Sequence, residues 1–416
     1  MSDSAPGPVT ARPPRPYGMG TSAVDWEARH DFDALRSGRV GRATGAMQDA
    51  GLDALLVWKY ENVRYLTSLR AQILAGKDSI LNAALLVPGH APDLLCSGGE
   101  LDRAGFMPWV GSAHAIPVME QRELIDGFVR SVLAPVLREH GADRGALGID
   151  QSSLLLLDAI AAELPGLRVV DGDVSMQEAR RLKLPAELAI VEESCAIGDA
   201  VTQRALDETR AGRRECEIAG DAMQTLYYLG GEQAHVTTPF VASGEHLAPP
   251  HRFATDKIVR NGDLVFIDIG AMWNGYFADI GRATVVGRPT DIQRRVYSTV
   301  HEGLMAGIEA MRPGSTTEHV AEAVRRAAVR NGLEEHLFSL FIGHGIGIGA
   351  NEPPYIGETL SGALPAVLEP SMLFAIEPLI WLPDHGVGVR IEDMVVVTET
   401  GSRVLSRTAY DEALLA

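Results

Sequence analysis

Asp263-Leu264-Val265-Phe266-Ile267-Asp268-Ile269-Gly270, then Asn274-Gly275, then Tyr276-Phe277-Ala278-Asp279-Ile280 is the stretch that decides the fold. Two apolar, strand-like runs flank an Asn-Gly pair, the strongest short-range signal for a β-hairpin. With Asn274 and Gly275 as the loop, Trp273 pairs with Tyr276, so Asp268 faces Gly281 and Asp279 faces Gly270. Paired residues share a face, and so do residues two apart on one strand. The spacing therefore sets both carboxylates on the same face as diagonal neighbours. Two carboxylates on an apolar hairpin repel unless a cation holds them, and a divalent metal or a metal pair is the economical answer. Read from the hairpin alone, exposed sheet carboxylates account for them equally well.

Downstream residues extend the pattern. Gly343-His344-Gly345-Ile346-Gly347 places a histidine in a glycine-rich turn. Leu373-Phe374-Ala375-Ile376-Glu377-Pro378 ends an apolar run on a carboxylate, and Val389-Arg390-Ile391-Glu392-Asp393-Met394-Val395 embeds acids in another. A carboxylate inside such a run normally has a partner or a metal. Asp268, Asp279, His344, Glu377 and Glu392 together supply four carboxylates and one imidazole. Four negative charges match two divalent cations. The oxygen-rich set suits Mn²⁺, Fe²⁺, Co²⁺ or Zn²⁺ and not Cu(I).

The rest of the chain reads as α/β. Helical spacing runs from about Asp31 to Gly51, and Leu52–Trp58 and Asn82–Pro88 read as strands. Leu147–Asp150 and Leu167–Asp171 look like the last strands of that half, in which helices cover a sheet. A polar stretch follows. Pro185 then suits the first turn of a helix, and helices carry the chain to about Leu229. Beyond the hairpin come helices over about 291–311 and 317–330, then glycine-punctuated strand and loop from Phe341 to Leu405. These patterns divide the chain into a tail at 1–24, a domain at 25–178 and a second at 179–416, with the boundary near 172–184.

Composition narrows the function. With 46% hydrophobic and 22% charged residues, the bulk of the chain is not intrinsically disordered. Lys+Arg of 37 against Asp+Glu of 55 leaves −18, a charge that repels nucleic-acid backbones and anionic lipid. Cys96, Cys195 and Cys216 are too few and too scattered for a disulfide framework or a cysteine metal site. No run approaches the ~18 apolar residues of a membrane span, and the first segment lacks the apolar region of a secretory signal. The expectation is a cytoplasmic protein that binds neither nucleic acid nor membrane.

The order Asp, ten residues, Asp, then Gly-His-Gly, Ile-Glu-Pro and Arg-Ile-Glu-Asp resembles the pita-bread metallopeptidases, the group of Xaa-Pro dipeptidase, aminopeptidase P and creatinase. Phe240–Gly244 with Pro250-His251 resembles the prolidase branch. Asn62-Val63-Arg64-Tyr65-Leu66-Thr67 resembles a segment of creatinase and prolidase N-terminal domains. The resemblance implies an α/β (α+β) protein with a creatinase-like N-terminal domain and a pita-bread catalytic domain. It implies two divalent ions, Mn²⁺ in first place with Co²⁺, Fe²⁺ or Zn²⁺ as alternatives. Asp268 would serve one metal, Asp279 and Glu392 would bridge, and His344 and Glu377 would serve the second. Glu377 would also take a proton from the attacking water, and His251 would hold or protonate the substrate. Arg390 would orient a carboxylate; an ordinary strand salt bridge is the alternative reading. Asn351, in Gly349-Ala350-Asn351-Glu352-Pro353-Pro354, stands where these peptidases usually carry histidine. It can hydrogen-bond a substrate but cannot carry a proton or a positive charge, a departure that bears on Xaa-Pro cleavage and not on metal binding; His235 would be a substitute imidazole or a surface loop residue. The activity implied is hydrolysis of an amide or imide bond in a dipeptide or small peptide by a homodimer. The alternative is creatinase-like C–N hydrolysis or metal-assisted lyase chemistry on a small zwitterion.

Overall fold

A computed structural model of the protein describes residues 24–71, 81–232, 239–250, 253–358 and 365–416. Contacts divide the chain into two units, one ending at Arg180 and one beginning at Arg181. No helix among the described residues is long and apolar enough to cross a membrane. Cys96, Cys195 and Cys216 are free thiols.

The first unit is a six-stranded mixed sheet. Its strands are β1 (Ala54–Val57), β2 (Asn82–Leu86), β3 (Asp93–Cys96), β4 (Ala113–Ala115), β5 (Gly145–Ile149) and β6 (Leu167–Asp171), in the order β4-β3-β2-β1-β5-β6. β1 pairs parallel with β5 and antiparallel with β2. β1, β2 and β3 are buried along their whole length, which is why their apolar residues run together with no alternation.

Two details differ from the sequence expectation. The strand expected over Leu52–Trp58 keeps only Ala54–Val57, and a helix, Tyr60–Thr67, follows it. Its polar residues serve the fold: Asn62 donates to Asp150 Oδ2 at 2.7 Å and the Tyr65 hydroxyl donates to Ala179 O at 3.0 Å. The polar stretch expected before Arg180 is the helix Asp173–Arg181, with Met176, Ala179 and Arg180 buried at helical spacing.

Asp25 anchors the start of this unit. Its carboxylate is fully buried and accepts from Arg64 Nε at 2.9 Å, Arg64 Nη2 at 2.5 Å and Arg70 Nε at 3.0 Å. Burial works against the charge, but Arg64, Arg70 and Arg39 outweigh it and hold the carboxyl down at about 2.

The second unit is built around the hairpin. β7 (Phe240–Ser243), β8 (Leu264–Trp273) and β9 (Tyr276–Val285) form one antiparallel sheet. Its register is the expected one: Trp273 pairs with Tyr276, Asp268 with Gly281 and Gly270 with Asp279. Asn274 and Gly275 have φ of 47° and 87°, the doubly left-handed turn that an Asn-Gly pair tolerates. A second sheet contains β10 (Gly343–Gly345), β11 (Glu352–Ile356), β12 (Leu373–Ile376), β15 (Asp393–Val397) and β16 (Ser402–Val404), ordered β11-β10-β12-β15-β16. β13 (Leu379–Leu382) and β14 (Val387–Arg390) form a separate hairpin.

Alternation along β8 sorts its residues between two cores. Val265, Ile267, Ile269 and Ala271 pack with Val201 and Ala205 of helix Pro185–Glu208 and with Ile218 and Ala222 of helix Glu215–Tyr228. Leu264 and Phe266 face the other way, into a core with helices Asp291–Ala310 and Thr317–Arg330. Asp268 follows Phe266 on that second face, so the carboxylates are aimed inward.

The Asp25 cluster makes a stability prediction. The folded carboxyl titrates lower than the ordinary value of 3.8, so its contribution is present above about pH 4 and disappears as pH falls toward about 2, a change of roughly 2 kcal/mol. Asp25→Asn is expected to destabilise the protein by about 3 kcal/mol at neutral pH, since it leaves buried guanidinium groups uncompensated. Denaturant unfolding of both proteins between pH 7 and pH 2.5 checks this; a gap that stays constant with pH contradicts it.

Candidate metal centre

Five of the residues singled out in the sequence are buried in the second unit: Asp268 (5% exposed), Asp279 (8%), His344 (1%), Glu377 (5%) and Glu392 (1%). They come from separate strands. Asp268 and Asp279 sit on β8 and β9, His344 is the middle residue of β10, Glu377 follows β12, and Glu392 lies between β14 and β15. Pairing of β10 with β12 sets His344 opposite Ala375, two residues before Glu377. An isolated bridge ties β9 to the residue just before β15. Glu392 N–H donates to Gly281 O at 2.9 Å, and Gly281 N–H donates to Glu392 O at 3.3 Å.

One ligand atom from each of Asp279, His344 and Glu392 lies within 4.8 Å of the others. His344 Nε2 is 3.4 Å from Glu377 Oε1 and 3.9 Å from Asp279 Oδ2. Its Nδ1 is bonded to Gly345 O at 2.9 Å, which leaves Nε2 as the nitrogen aimed at the acids. Arg390, at the end of β14, closes the other side. It bonds to Asp268, its Nη1 lies 2.7 Å from Glu377 Oε2, and its guanidinium stacks 4.7 Å over the Phe266 ring.

The electrostatics follow from burying so many acids together. Burial pushes Asp279 well above the usual carboxylate range, and the neighbouring charges of Asp268 and Glu377 add to it. Burial raises Glu392 in the same way, with Asp279, Glu377 and Asp268 contributing. Burial lowers His344 to about 4, so its imidazole is neutral and free to act as a ligand. Burial opposes the charge on Arg390, but Asp268, Glu377, Glu392 and Asp279 outweigh it and keep the guanidinium charged.

The chemistry of these residues fits divalent ions. Among the described residues, Asp279 Oδ1 and both carboxylate oxygens of Glu392 are buried with no hydrogen-bond partner. Such atoms are costly to leave unmatched, and hard oxygens beside a neutral imidazole are the donors that Mn²⁺, Fe²⁺, Co²⁺ or Zn²⁺ takes. A cavity of about 180 Å³ adjoins the cluster at Arg390, walled by Phe240, Pro250, Phe266, Phe338 and Trp381.

Other residues singled out in the sequence fall elsewhere. Asn351 is exposed, one residue before β11. His251 and His235 lie outside the described residues. Sequence reasoning did not anticipate the buried pair of Lys183 and Glu352, with Nζ 2.7 Å from Oε1. It also missed Phe266 as the platform for Arg390; its place two residues before Asp268 on the same strand face was the available signal.

Residues 189–399 match the family described as metallopeptidase family M24, and residues 39–182 match the creatinase/prolidase N-terminal domain. An Xaa-Pro dipeptidase from Pyrococcus horikoshii is 30% identical over 365 residues, covering 87% of this chain and 95% of that protein. A probable dipeptidase, PepE, from Mycobacterium tuberculosis is 32% identical over 377 residues, covering 89% and 94%. The crystal structure of dipeptidase PepE from Mycobacterium ulcerans superposes with a TM-score of 0.76 at 28% identity, over 92% of this chain and 98% of that one.

Gly281 generates a prediction. A Cβ there would sit 2.9 Å from Glu392 Cβ and 3.1 Å from its Oε2, closer than side-chain atoms normally approach. Gly281→Ala is expected to displace Glu392 and weaken divalent-metal binding by about 10–100-fold while the chain still folds. Chelator competition measures the change, and wild-type affinity in the variant would show that the close approach is unimportant.

Proposed function

The chain belongs to metallopeptidase family M24, and from that membership together with the geometry of its buried acids we infer how it works. It is a metal-dependent hydrolase of the Xaa-Pro peptidase type, which cleaves the amide or imide bond of a dipeptide or small peptide. Its resident cofactors are divalent metal ions. Two ions, Mn²⁺ first among them, would be held by Asp268, Asp279, His344, Glu377 and Glu392. The catalytic domain would run over 179–416 and a creatinase-like domain over 25–178. The observation that supports this most directly is the set of buried, unpartnered oxygens on Asp279 and Glu392 facing a neutral His344.

Bound divalent ions supply Lewis-acid polarisation of a carbonyl and a supply of hydroxide near neutral pH. The protein's own groups do the rest. Glu377 takes a proton from the attacking water and returns it to the leaving nitrogen. Arg390 braces Glu377 and Asp268 together, so the base cannot swing away from the site. The apolar cavity beside Arg390 takes one side chain or ring of the substrate and keeps water from it. His251 steadies the substrate. Cleavage before proline is compatible with this arrangement, because the grip does not depend on a peptide N–H that an imide bond lacks.

The test is a panel of Xaa-Pro dipeptides assayed before and after chelation, with metal analysis of protein purified without chelator. Hydrolysis should vanish on chelation and return with Mn²⁺ in preference to Co²⁺, Fe²⁺ or Zn²⁺, at close to two ions per chain. No turnover of any dipeptide with any of these metals would overturn the activity; metal content below about half an equivalent under every supply would overturn the centre. The enzyme would act in the cytoplasm as a homodimer. Light scattering at assay concentration checks the assembly, and a monomeric mass contradicts it.

A further inference from the structure

Glu392 is a buried carboxylate with no hydrogen bond to either oxygen among the described residues. With no side-chain hydrogen bond among the described residues, its placement relies on its main chain. That main chain is held by Arg282. Arg282 Nη1 donates to Glu392 O at 2.6 Å and to Gly281 O at 2.8 Å. Nε and Nη2 donate to Thr408 O at 2.9 and 2.7 Å, and Nη2 donates to Asp393 Oδ1 at 2.7 Å. The five bonds use the full donor set of a guanidinium.

The acceptors lead to the end of the chain. Asp393 Oδ1 also accepts from Ser406 Oγ and its Oδ2 from the Tyr410 hydroxyl, each at 2.6 Å. Tyr410 lies under the Arg282 guanidinium at 4.8 Å. Asp199 fixes the same segment from helix Pro185–Glu208, accepting from the N–H groups of Arg407 and Thr408 at 2.8 Å. The segment Ser406–Tyr410 thus grips the Glu392 carbonyl through one fully committed guanidinium and the Asp393 carboxylate directly, and Arg282 (2% exposed) and Asp393 (0%) are both buried.

We propose that Arg282 is a positioning residue for the metal centre: it locks Glu392 to β9 and to the C-terminal segment Ser406–Tyr410, so that a segment contributing no ligand sets the affinity of the site. This rests on the metal-centre reading above. Lysine in place of Arg282 keeps the charge but offers three donors from a single nitrogen, which cannot reach acceptors spread over Gly281, Glu392, Asp393 and Thr408.

The experiment titrates Mn²⁺ into metal-free, full-length wild type, Arg282→Lys and Tyr410→Phe against a chromophoric chelator, beside thermal denaturation of the metal-free proteins. Arg282→Lys is expected to bind Mn²⁺ about 10–100-fold more weakly, and Tyr410→Phe a few-fold more weakly. Metal-free variants that melt early yet bind Mn²⁺ as wild type does would mean a structural role alone and overturn the proposal. If Arg282→Lys does not fold, Tyr410→Phe decides in the same way. Wild type that takes up no Mn²⁺, Co²⁺, Fe²⁺ or Zn²⁺ overturns the metal centre itself and this role with it; binding in wild type with unchanged variants overturns only the role of Arg282.

Discussion

Mutual repulsion of buried carboxylates is the constraint on which the second unit depends. Two like charges ~4 Å apart repel by about 4 kcal/mol at an effective dielectric of ~20, and Asp268, Asp279, Glu377 and Glu392 share one buried cluster. Arg390 compensates Asp268 and Glu377 directly. Asp279 and Glu392 are pushed far above their ordinary range. A cluster in this state has a strong preference for cations, and that preference is what a hydrolytic metal enzyme needs.

Such a cluster must be held against its own repulsion, and strands do this better than loops. Asp268 and Asp279 share one rigid hairpin. His344 is fixed between β11 and β12. Glu392 is clamped to Gly281 by paired main-chain hydrogen bonds, with a glycine because a side chain at that position would collide with it. Behind them Arg282 and Asp393 form a fully satisfied polar layer, the kind of network that specifies one geometry. The first unit solves a smaller version of the same problem, where Asp25 is the negative group surrounded by buried arginines.

The cavity beside the cluster is governed by different physics. The cavity beside Arg390 is walled by aromatic and proline rings, so it rewards burial of an apolar side chain or ring. The guanidinium on Phe266 marks the border between this dry space and the charged cluster.

The hairpin was legible because its determinants are local. An Asn-Gly turn and a two-residue period determine which residues pair and which share a face, and the observed register follows from these alone. Candidate ligands were legible because acids and a histidine inside apolar or glycine-rich runs stand out against their surroundings. The helices Tyr60–Thr67 and Asp173–Arg181 were not, since their polar side chains are accommodated by partners remote in sequence, such as Asn62 by Asp150. The orientation of His344, the grasp of Arg390 on Asp268 across 122 positions and that of Arg282 on Asp393 across 111 were decided by tertiary structure. Sequence determined which chemical groups this protein brings to its site and which face of the hairpin they occupy, because period and turn chemistry act over a few residues. Only the packed fold decided which oxygens are left without a partner, because that depends on what long-range pairing places opposite each of them.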